Sequence, residues 1–267
     1  MDRYRVRPGT RVRLSRLDPR DDRGFGRAKD EGRSRLERLK QLLDPLQELL
    51  YAEHRHALLV LLQGMDASGK DGTIRRVFEG VNPQGVRVVS FKAPTPEERE
   101  HDFLWRIHPR VPRVGEIVLF NRSHYEDVLV PRVHGEIRRA TWERRYRAIN
   151  EFERELTEEG TTILKFHLHV SRREQKRRLK DRLADPTKRW KFAEGDVHER
   201  AWWPNYMAAY EEAISRTSTP WAPWYIVPSD RKWYRDLVVS DRIVRTLKGF
   251  RMKYPGLPKE FRSTRVR

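Results

Sequence analysis

The chain has 267 residues, a length that suits one large α/β domain, or two small ones, with a real core. Its 57 Lys and Arg against 39 Asp and Glu give a net charge of +18, which indicates either a polyanionic partner (nucleic acid, anionic membrane or polyphosphate) or an arginine-rich source proteome. The lack of cysteine excludes disulfides, thiolate metal sites and cysteine nucleophiles.

The first 30 residues predict an extended basic arm, because they show no hydrophobic period. The first five residues are charged and lack the apolar core of a signal peptide. The longest aliphatic run, residues 57–62, is too short to cross a bilayer. We therefore expect a cytoplasmic protein without membrane contact, with one folded domain over residues 31–255 and a C-terminal tail over residues 256–267.

Leucines at steps of three and four predict a helix from about Arg33, with a kink or a split at Pro45. Short apolar runs after it predict five strands, at residues 57–62, 86–91, 116–120, 161–170 and 224–227. Helical segments separate the runs, with N-terminal capping signals at Thr95 and Ser171. Strands that alternate with helices imply an α/β fold with a parallel sheet.

Residues 64–70, Gly-Met-Asp-Ala-Ser-Gly-Lys, fit the phosphate-binding pattern G-x-x-x-x-G-K directly after the first apolar run. Gly64 and Gly69 let the backbone curl so that successive N–H groups point at phosphate oxygens. A helix that begins near Gly69 adds its positive N-terminal end, and Lys70 adds a mobile charge. Strand, loop and helix together predict a P-loop.

Two carboxylates accompany this loop. Asp71 stands where many P-loops have a Ser or Thr that ligates Mg²⁺, and Thr73 is two positions late for that role. Asp66 lies inside the loop, where a carboxylate needs a cation to neutralise it. We interpret Asp66 as a residue that holds a metal ion or orients the substrate, rather than as a helix cap.

Polar side chains crowd the carboxyl end of the third apolar run, where a P-loop fold places its second catalytic segment. Arg122 suits bidentate contact with phosphate oxygens. Asn121 offers a neutral ligand or hydrogen-bonding group. Glu126 and Asp127 either hold a cation or pair with nearby arginines, and the sequence leaves both options open.

Arg178 and Arg182 lie four residues apart and share one face of a predicted helix. Directed inward, they would stabilise charge on a transferring phosphoryl group; directed outward, they would be solvated. Residues 185–192 follow directly and mix cations with aromatic side chains, which is typical of a lid over a phosphate substrate or of a surface loop with a pinned Trp. The position of both arginines ahead of this segment favours the functional interpretation.

Several of these segments resemble the polyphosphate kinase 2 family. The resemblance covers the P-loop at residues 64–73, the segment Phe-Asn-Arg-Ser-His-Tyr-Glu-Asp-Val at residues 120–128, the lid region through Lys191, and supporting matches at residues 4–6, 103–108 and 222–225. Within that family, the chain is most similar to the class III branch, in which Asn follows the third strand.

The resemblance implies a P-loop kinase fold similar to thymidylate kinase, with a parallel, about five-stranded sheet flanked by helices and a helical lid at about residues 183–200. It implies transfer of a terminal phosphate from inorganic polyphosphate to a nucleotide, with Mg²⁺. Class III members accept both AMP and ADP, so adenine nucleotides are the expected acceptors, with guanine nucleotides as a further option. It also implies a homo-oligomer, either a dimer or a tetramer.

Family roles, carried to the matching positions, assign catalysis to Asp66, Lys70, Arg122, Arg178 and Arg182. The implied metal ligands are Asp66 and Asn121, although many relatives have a carboxylate at position 121. The expected phosphate-binding residues are Gly64, Ala67, Ser68, Gly69, Lys70, Asp71, Gly72, Thr73, Arg106 and Lys188.

The residues permit two alternatives to a polyphosphate:nucleotide phosphotransferase. An ATP-dependent nucleoside or nucleotide kinase of the thymidylate kinase type would have a similar P-loop, but it would not need a net charge of +18. A nucleic-acid-binding protein would use a basic face and stack bases on aromatic residues such as Trp190, but this leaves the P-loop and Asp66 unexplained. We therefore predict reversible, in-line phosphoryl transfer from polyphosphate without a covalent enzyme intermediate.

Overall fold

The computed structural model describes residues 2–22, 25 and 28–257. Its centre is a parallel sheet of five strands in the order β2-β3-β1-β4-β5. The strands are β1 (Ala57–Gln63), β2 (Val86–Ser90), β3 (Ile117–Asn121), β4 (Thr161–His169) and β5 (Trp224–Pro228). All five strands that the apolar runs predict are therefore confirmed, and so is the parallel α/β sheet.

Helices cover both faces of the sheet. They are α1 (Lys29–Glu53), α2 (Lys70–Val77), α3 (Pro96–Glu100), α4 (Glu126–Val133), α5 (Arg139–Glu158), α6 (Arg172–Ala184), α7 (Glu194–Glu199), α8 (Trp203–Thr217) and α9 (Lys232–Gly249). Single turns of 3₁₀-helix lie at Asp2–Tyr4, Leu14–Arg16, His108–Arg110, Arg189–Lys191 and Arg200–Trp202. None of the helices that the structure describes is both long and apolar enough to span a membrane.

Strand β1 is buried along its whole length because each of its faces meets an apolar layer. Leu59 and Leu61 point into a core formed with α4, α5 and α8. Leu58, Val60 and Leu62 point into a second core formed with α1, α2 and α9. The sheet is thus sandwiched between two helical layers, and the loops at the carboxyl ends of its strands stay open for a site.

Helix α1 differs from the prediction in two ways. It begins four residues before Arg33, and it continues through Pro45 without a break. Pro45 lies on the exposed side of the helix, while Leu43 and Leu50 are fully buried. The hydrogen bond that Pro45 cannot donate is therefore lost on the solvent side, and packing against α9 holds both halves of the helix together.

The N-terminal segment packs against the domain. Arg5 forms an antiparallel bridge with Tyr225, and the amide of Val6 donates to the carbonyl of Trp224 at 2.8 Å. The amide of Val12 donates to Ser215 Oγ on α8, also at 2.8 Å. The predicted limits of the arm and of the domain stay predictions, and residues 258–267 of the predicted tail lie outside the described residues.

Candidate active site

A cavity of about 770 Å³ opens beside the P-loop, at the carboxyl ends of β1, β2 and β3. Loop residues Asp66 to Gly72 form one wall, apart from Ser68, and α6, the segment after it and the start of α9 form the others. Eleven Lys and Arg side chains line the cavity against five Asp side chains. The surplus of positive charge suits a ligand with several phosphate groups.

The P-loop backbone takes the conformations that its glycines permit. Gly64 has a φ of +147° and Gly69 a φ of +110°, and Ala67 adopts a left-handed φ of +59°. A Cβ on Gly64 would lie 2.8 Å from the carbonyl oxygen of Leu168, and one on Gly69 only 1.8 Å from a guanidinium nitrogen of Arg235. Helix α2 begins directly at Lys70, as predicted, so its positive end faces the cavity.

Lys70 is 8% exposed and lines the cavity. Its ammonium group donates to the carbonyl oxygen of Gly64 at 2.7 Å and to that of Met65 at 3.4 Å. Burial lowers the pKa of Lys70, and the Asp66 carboxylate opposes that shift. The loop thus holds a cation close to its own backbone, where phosphate oxygens would bind.

Asp66 and Arg122 form an ion pair of 2.7 Å across the cavity, from the P-loop to the end of β3. Burial opposes ionisation of Asp66, but Lys70 and Arg122 prevail and hold its pKa below the ordinary value. Burial likewise disfavours the charged Arg122, but Glu126 and Asp66 outweigh it and raise its pKa. Both groups are therefore charged at neutral pH and meet where the predicted catalytic residues converge.

Arg178 and Arg182 both line the cavity, but their surroundings differ. Arg178 Nε donates to Glu174, Nη1 to the carbonyl oxygens of Ala67 and Ser68, and Nη2 to those of two loop residues after β5, Ser229 and Asp230. These bonds occupy all five of its N–H donors. In this structure Arg178 therefore fixes the P-loop, and its predicted direct contact with the transferring phosphate stays a prediction.

Arg182 keeps the predicted orientation. Its side chain is 23% exposed and pairs with Asp196 of α7 at 3.3 Å, at the rim of the cavity. It therefore has donors available for an anionic ligand, and it also links α6 to α7.

Four predicted phosphate-binding residues lie outside the cavity lining: Gly64, Ser68, Thr73 and Arg106. Thr73 is 1% exposed and donates to Asp236 on α9. Arg106 is 6% exposed and donates to Asp127 at 2.9 Å and to the carbonyl oxygen of Lys92 at 2.8 Å. Burial and ion pairing of Arg106 contradict its predicted phosphate contact, and Asp127 accordingly pairs with an arginine rather than holding a cation.

The segment after α6 covers one side of the cavity, where a lid would lie. Lys188, Trp190 and Lys191 line the cavity. Lys191 Nζ lies 3.7 Å from Asp71 of the P-loop, and the Trp190 ring is 77% exposed. Two short helical pieces, the 3₁₀ turn at Arg189–Lys191 and α7, form the segment.

Several residues that line the cavity were not predicted from the sequence as site residues. They are Arg75, Arg76, Lys92, Asp181, Asp196, Lys232, Arg235 and Asp236. Arg235 donates to the carbonyl oxygen of Ser68 at 3.2 Å and bonds to Asp236 at 2.8 Å. The charged cluster at residues 231–236 could have indicated Lys232, Arg235 and Asp236 as site residues. It follows soon after β5, just as the polar segment that carries Arg122 follows β3, and the carboxyl ends of parallel strands form the site in this fold.

A fully buried polar cluster supports the segment that carries Arg122. Lys165 of β4 donates to Glu153 at 2.5 Å, to Tyr125 at 3.0 Å and to a carbonyl oxygen at the end of α8. Tyr125 Oη and His124 Nε2 also bond to Glu153. The cluster fixes the β3–α4 turn because each of these four buried side chains has a partner in it.

The oxygen donors near the P-loop suit a hard divalent cation. Asp66 and Asn121 line the cavity, and Asn121 Nδ2 donates to Asp71 at 2.5 Å. Among the described residues, no group of three or more His, Cys, Asp or Glu could hold a metal ion. One or two carboxylates completed by water and by substrate phosphates are the usual ligands of Mg²⁺ in such sites, so the residues present fit that ion.

The sequence model of polyphosphate kinase 2 matches residues 26–255. The chain belongs to this family. An AMP/ADP-polyphosphate phosphotransferase from Meiothermus ruber is 55% identical to it over 255 residues, which cover 96% of each chain. An ADP-polyphosphate phosphotransferase from Rhodopseudomonas palustris is 43% identical over 264 residues and covers 94% of this chain and 91% of that one.

The crystal structure of polyphosphate kinase 2 from Arthrobacter aurescens TC1 superimposes with a TM-score of 0.92 at 45% identity. The match covers 96% of this chain and 91% of that chain. The P-loop kinase fold is therefore confirmed, and the chain is a transferase that moves phosphate between polyphosphate and nucleotides. Enzymes of this family generally need a divalent metal.

Proposed function

We propose that this polyphosphate kinase phosphorylates both AMP and ADP with inorganic polyphosphate, reversibly and with Mg²⁺, as a class III enzyme. The observation that carries the proposal is the cavity in which Asp66, Lys70 and Arg122 meet among eleven cationic side chains. The name of the Meiothermus ruber relative, which includes both acceptors, supports the acceptor range. Adenine nucleotides are the proposed acceptors. Use of guanine nucleotides, a dimeric or tetrameric assembly and a cytoplasmic location stay predictions.

The described side chains divide the work of an in-line transfer. Lys70 and the N–H groups at the start of α2 bind the transferring phosphoryl group, and Arg122 and Arg182 stabilise the charge that spreads over it. Arg178 holds the carbonyl groups of Ala67 and Ser68 and so fixes the backbone of the P-loop. Catalysis then rests on positioning and electrostatics, without a covalent enzyme intermediate.

Asp66 and Asn121 would hold Mg²⁺, which neutralises phosphate charge when it is bound. Asp66 suits this role because its low pKa keeps it ionised at neutral pH. The Arg122 side chain beside it is 37% exposed, so its guanidinium can contact a phosphate while Asp66 contacts the cation.

The acceptor range is tested by mixing purified protein with Mg²⁺, polyphosphate and either AMP or ADP, without ATP, and by following ATP with luciferase. We expect ATP from both acceptors, and we expect a chelator to abolish it. ATP from ADP alone would contradict the dual specificity, while no ATP from either would contradict polyphosphate as the donor.

A further inference from the structure

A second cavity, of about 630 Å³, lies between two limbs of the N-terminal segment. Residues 3–7 form the first limb, which pairs with β5, and residues 10–18 form the second, which runs along α8. The floor consists of buried, uncharged side chains such as Val6, Val12 and Ile226. We call this cavity the arm groove.

Arginines from both limbs line the arm groove: Arg3, Arg5, Arg7, Arg11, Arg13 and Arg16. Along residues 3–7 and 11–13 they alternate with buried apolar residues, so each limb presents one guanidinium at every second position. In an extended chain, alternate residues lie about 6.6 Å apart. This spacing applies to Arg5 and Arg7 on the first limb and to Arg11 and Arg13 on the second, whereas the other two arginines lie in 3₁₀ turns.

These charges are available for a ligand. All six arginines are exposed, and none forms an ion pair with another residue of the described chain. Among the described lining residues, only Asp18 and Asp21 are carboxylates, which leaves a net formal charge of +4 for that part of the lining. His169 in the floor adds no charge at neutral pH, because burial lowers its pKa.

The arm groove and the active-site cavity both reach the segment at and just after the carboxyl end of β5. Pro228 lines the groove and Lys232 lines the active-site cavity, so the Cα atoms of these two residues are at most about 14 Å apart. Two cations contact Asp230 in the loop between them. Arg20 lies 3.6 Å from the Asp230 carboxylate, and Arg178 donates to the Asp230 carbonyl oxygen.

We propose that the arm groove binds the part of a long polyphosphate chain that lies beyond the phosphates in the active-site cavity. Arginines on both limbs match a linear anion with a charge on every unit, and the short separation of Pro228 and Lys232 would let one long chain reach both cavities. A nucleotide fits less well, because Tyr4 is the one Phe, Tyr or Trp among the described residues of the groove lining, and its ring is buried against Tyr234. The inference rests on the proposed polyphosphate-dependent function.

The test compares long-chain polyphosphate with tripolyphosphate as donors for ADP. In the triple variant Arg7→Gln, Arg11→Gln, Arg13→Gln, we expect the KM for long chains, divided by the KM for tripolyphosphate, to rise about fivefold or more. The KM for ADP should stay the same. The control is Arg38→Gln, Arg144→Gln, Arg147→Gln, which removes three exposed arginines that line neither cavity and should leave the ratio unchanged.

An unchanged ratio in the arm variant, an equal rise in the control, or a rise in the KM for ADP instead would overturn the inference. The dissociation constant of long-chain polyphosphate, measured at equilibrium with the same proteins, tests binding in the arm groove without catalysis. If the wild-type chain makes no ATP from any polyphosphate, the proposed function fails. Weaker binding by the arm variant than by the control would then still support the groove, and equal binding would refute it.

Discussion

Arg122 has a backbone φ of +64°, a left-handed conformation that is rare for a residue with a long side chain. Its amide donates to the carbonyl oxygen of Leu62 at 3.1 Å, and its guanidinium reaches Asp66. The buried cluster of Lys165, Glu153 and Tyr125 fixes the turn that follows it. The surrounding structure thus holds a strained backbone that aims a cation into the cavity.

Lys70 is the residue whose removal should affect catalysis most. Lys70→Ala deletes the charge that binds the transferring phosphoryl group, and we expect kcat to fall about a hundred- to thousandfold. The matched control is Lys176→Ala on the exposed side of α6, which should keep wild-type turnover. Initial rates at saturating polyphosphate and ADP measure both variants. Near-normal turnover of Lys70→Ala would contradict the assigned role.

For single residues, the sequence predicts those site residues whose position follows from a local motif. The P-loop pattern locates Asp66 and Lys70, and the end of an apolar run locates Arg122. The sequence does not predict the partners of Arg178, because the carbonyl groups that accept its hydrogen bonds come from segments about fifty and more than a hundred residues away. The same holds for Arg106, since its partner Asp127 becomes a neighbour only in the folded chain.

At the scale of structural elements, the turn from β1 into α2 leaves little space for an added side chain at Gly69. Gly69→Ala places a methyl group against the Arg235 guanidinium in a backbone conformation that L-residues rarely adopt. We expect the free energy of unfolding to fall by about 1–3 kcal/mol and turnover to fall with it. Gly249→Ala, at the end of α9 with no atom near the added Cβ, is the matched control. Chemical denaturation of both variants measures the difference, and equal stabilities would argue against strain in the P-loop.

Element prediction is most successful where one face or one strand is strongly apolar. The four largely buried strands, β1, β3, β4 and β5, follow from apolar runs, and so does the partly exposed β2. Helix α1 shows the limit of a local rule. Pro45 predicts a kink or a split from backbone chemistry alone, but tertiary packing of Leu43 and Leu50 keeps α1 a single helix. The segment after α6 was predicted from composition, and the structure adds its ties to the rest of the site, Lys191 to Asp71 and Arg182 to Asp196.

For the whole molecule, the described linings of the two cavities hold more than half of the net charge of +18, at places where a polyanion would bind. The active-site cavity has eleven cationic side chains against five carboxylates, and the arm groove has six against two. Composition predicts a polyanionic partner but does not locate it. The groove exists only because residues 3–7 pair with β5 while residues 10–18 return along α8.

The central claim is that phosphate passes directly from polyphosphate to a nucleotide, and ³¹P NMR tests it most directly. Wild-type protein would be followed with long-chain polyphosphate, Mg²⁺ and ADP, with Lys70→Ala under the same conditions as the inactive reference. We expect each phosphate that leaves polyphosphate to appear as the γ-phosphate of ATP, with no gain of orthophosphate. Loss of polyphosphate as orthophosphate, with ADP unchanged, would contradict the account.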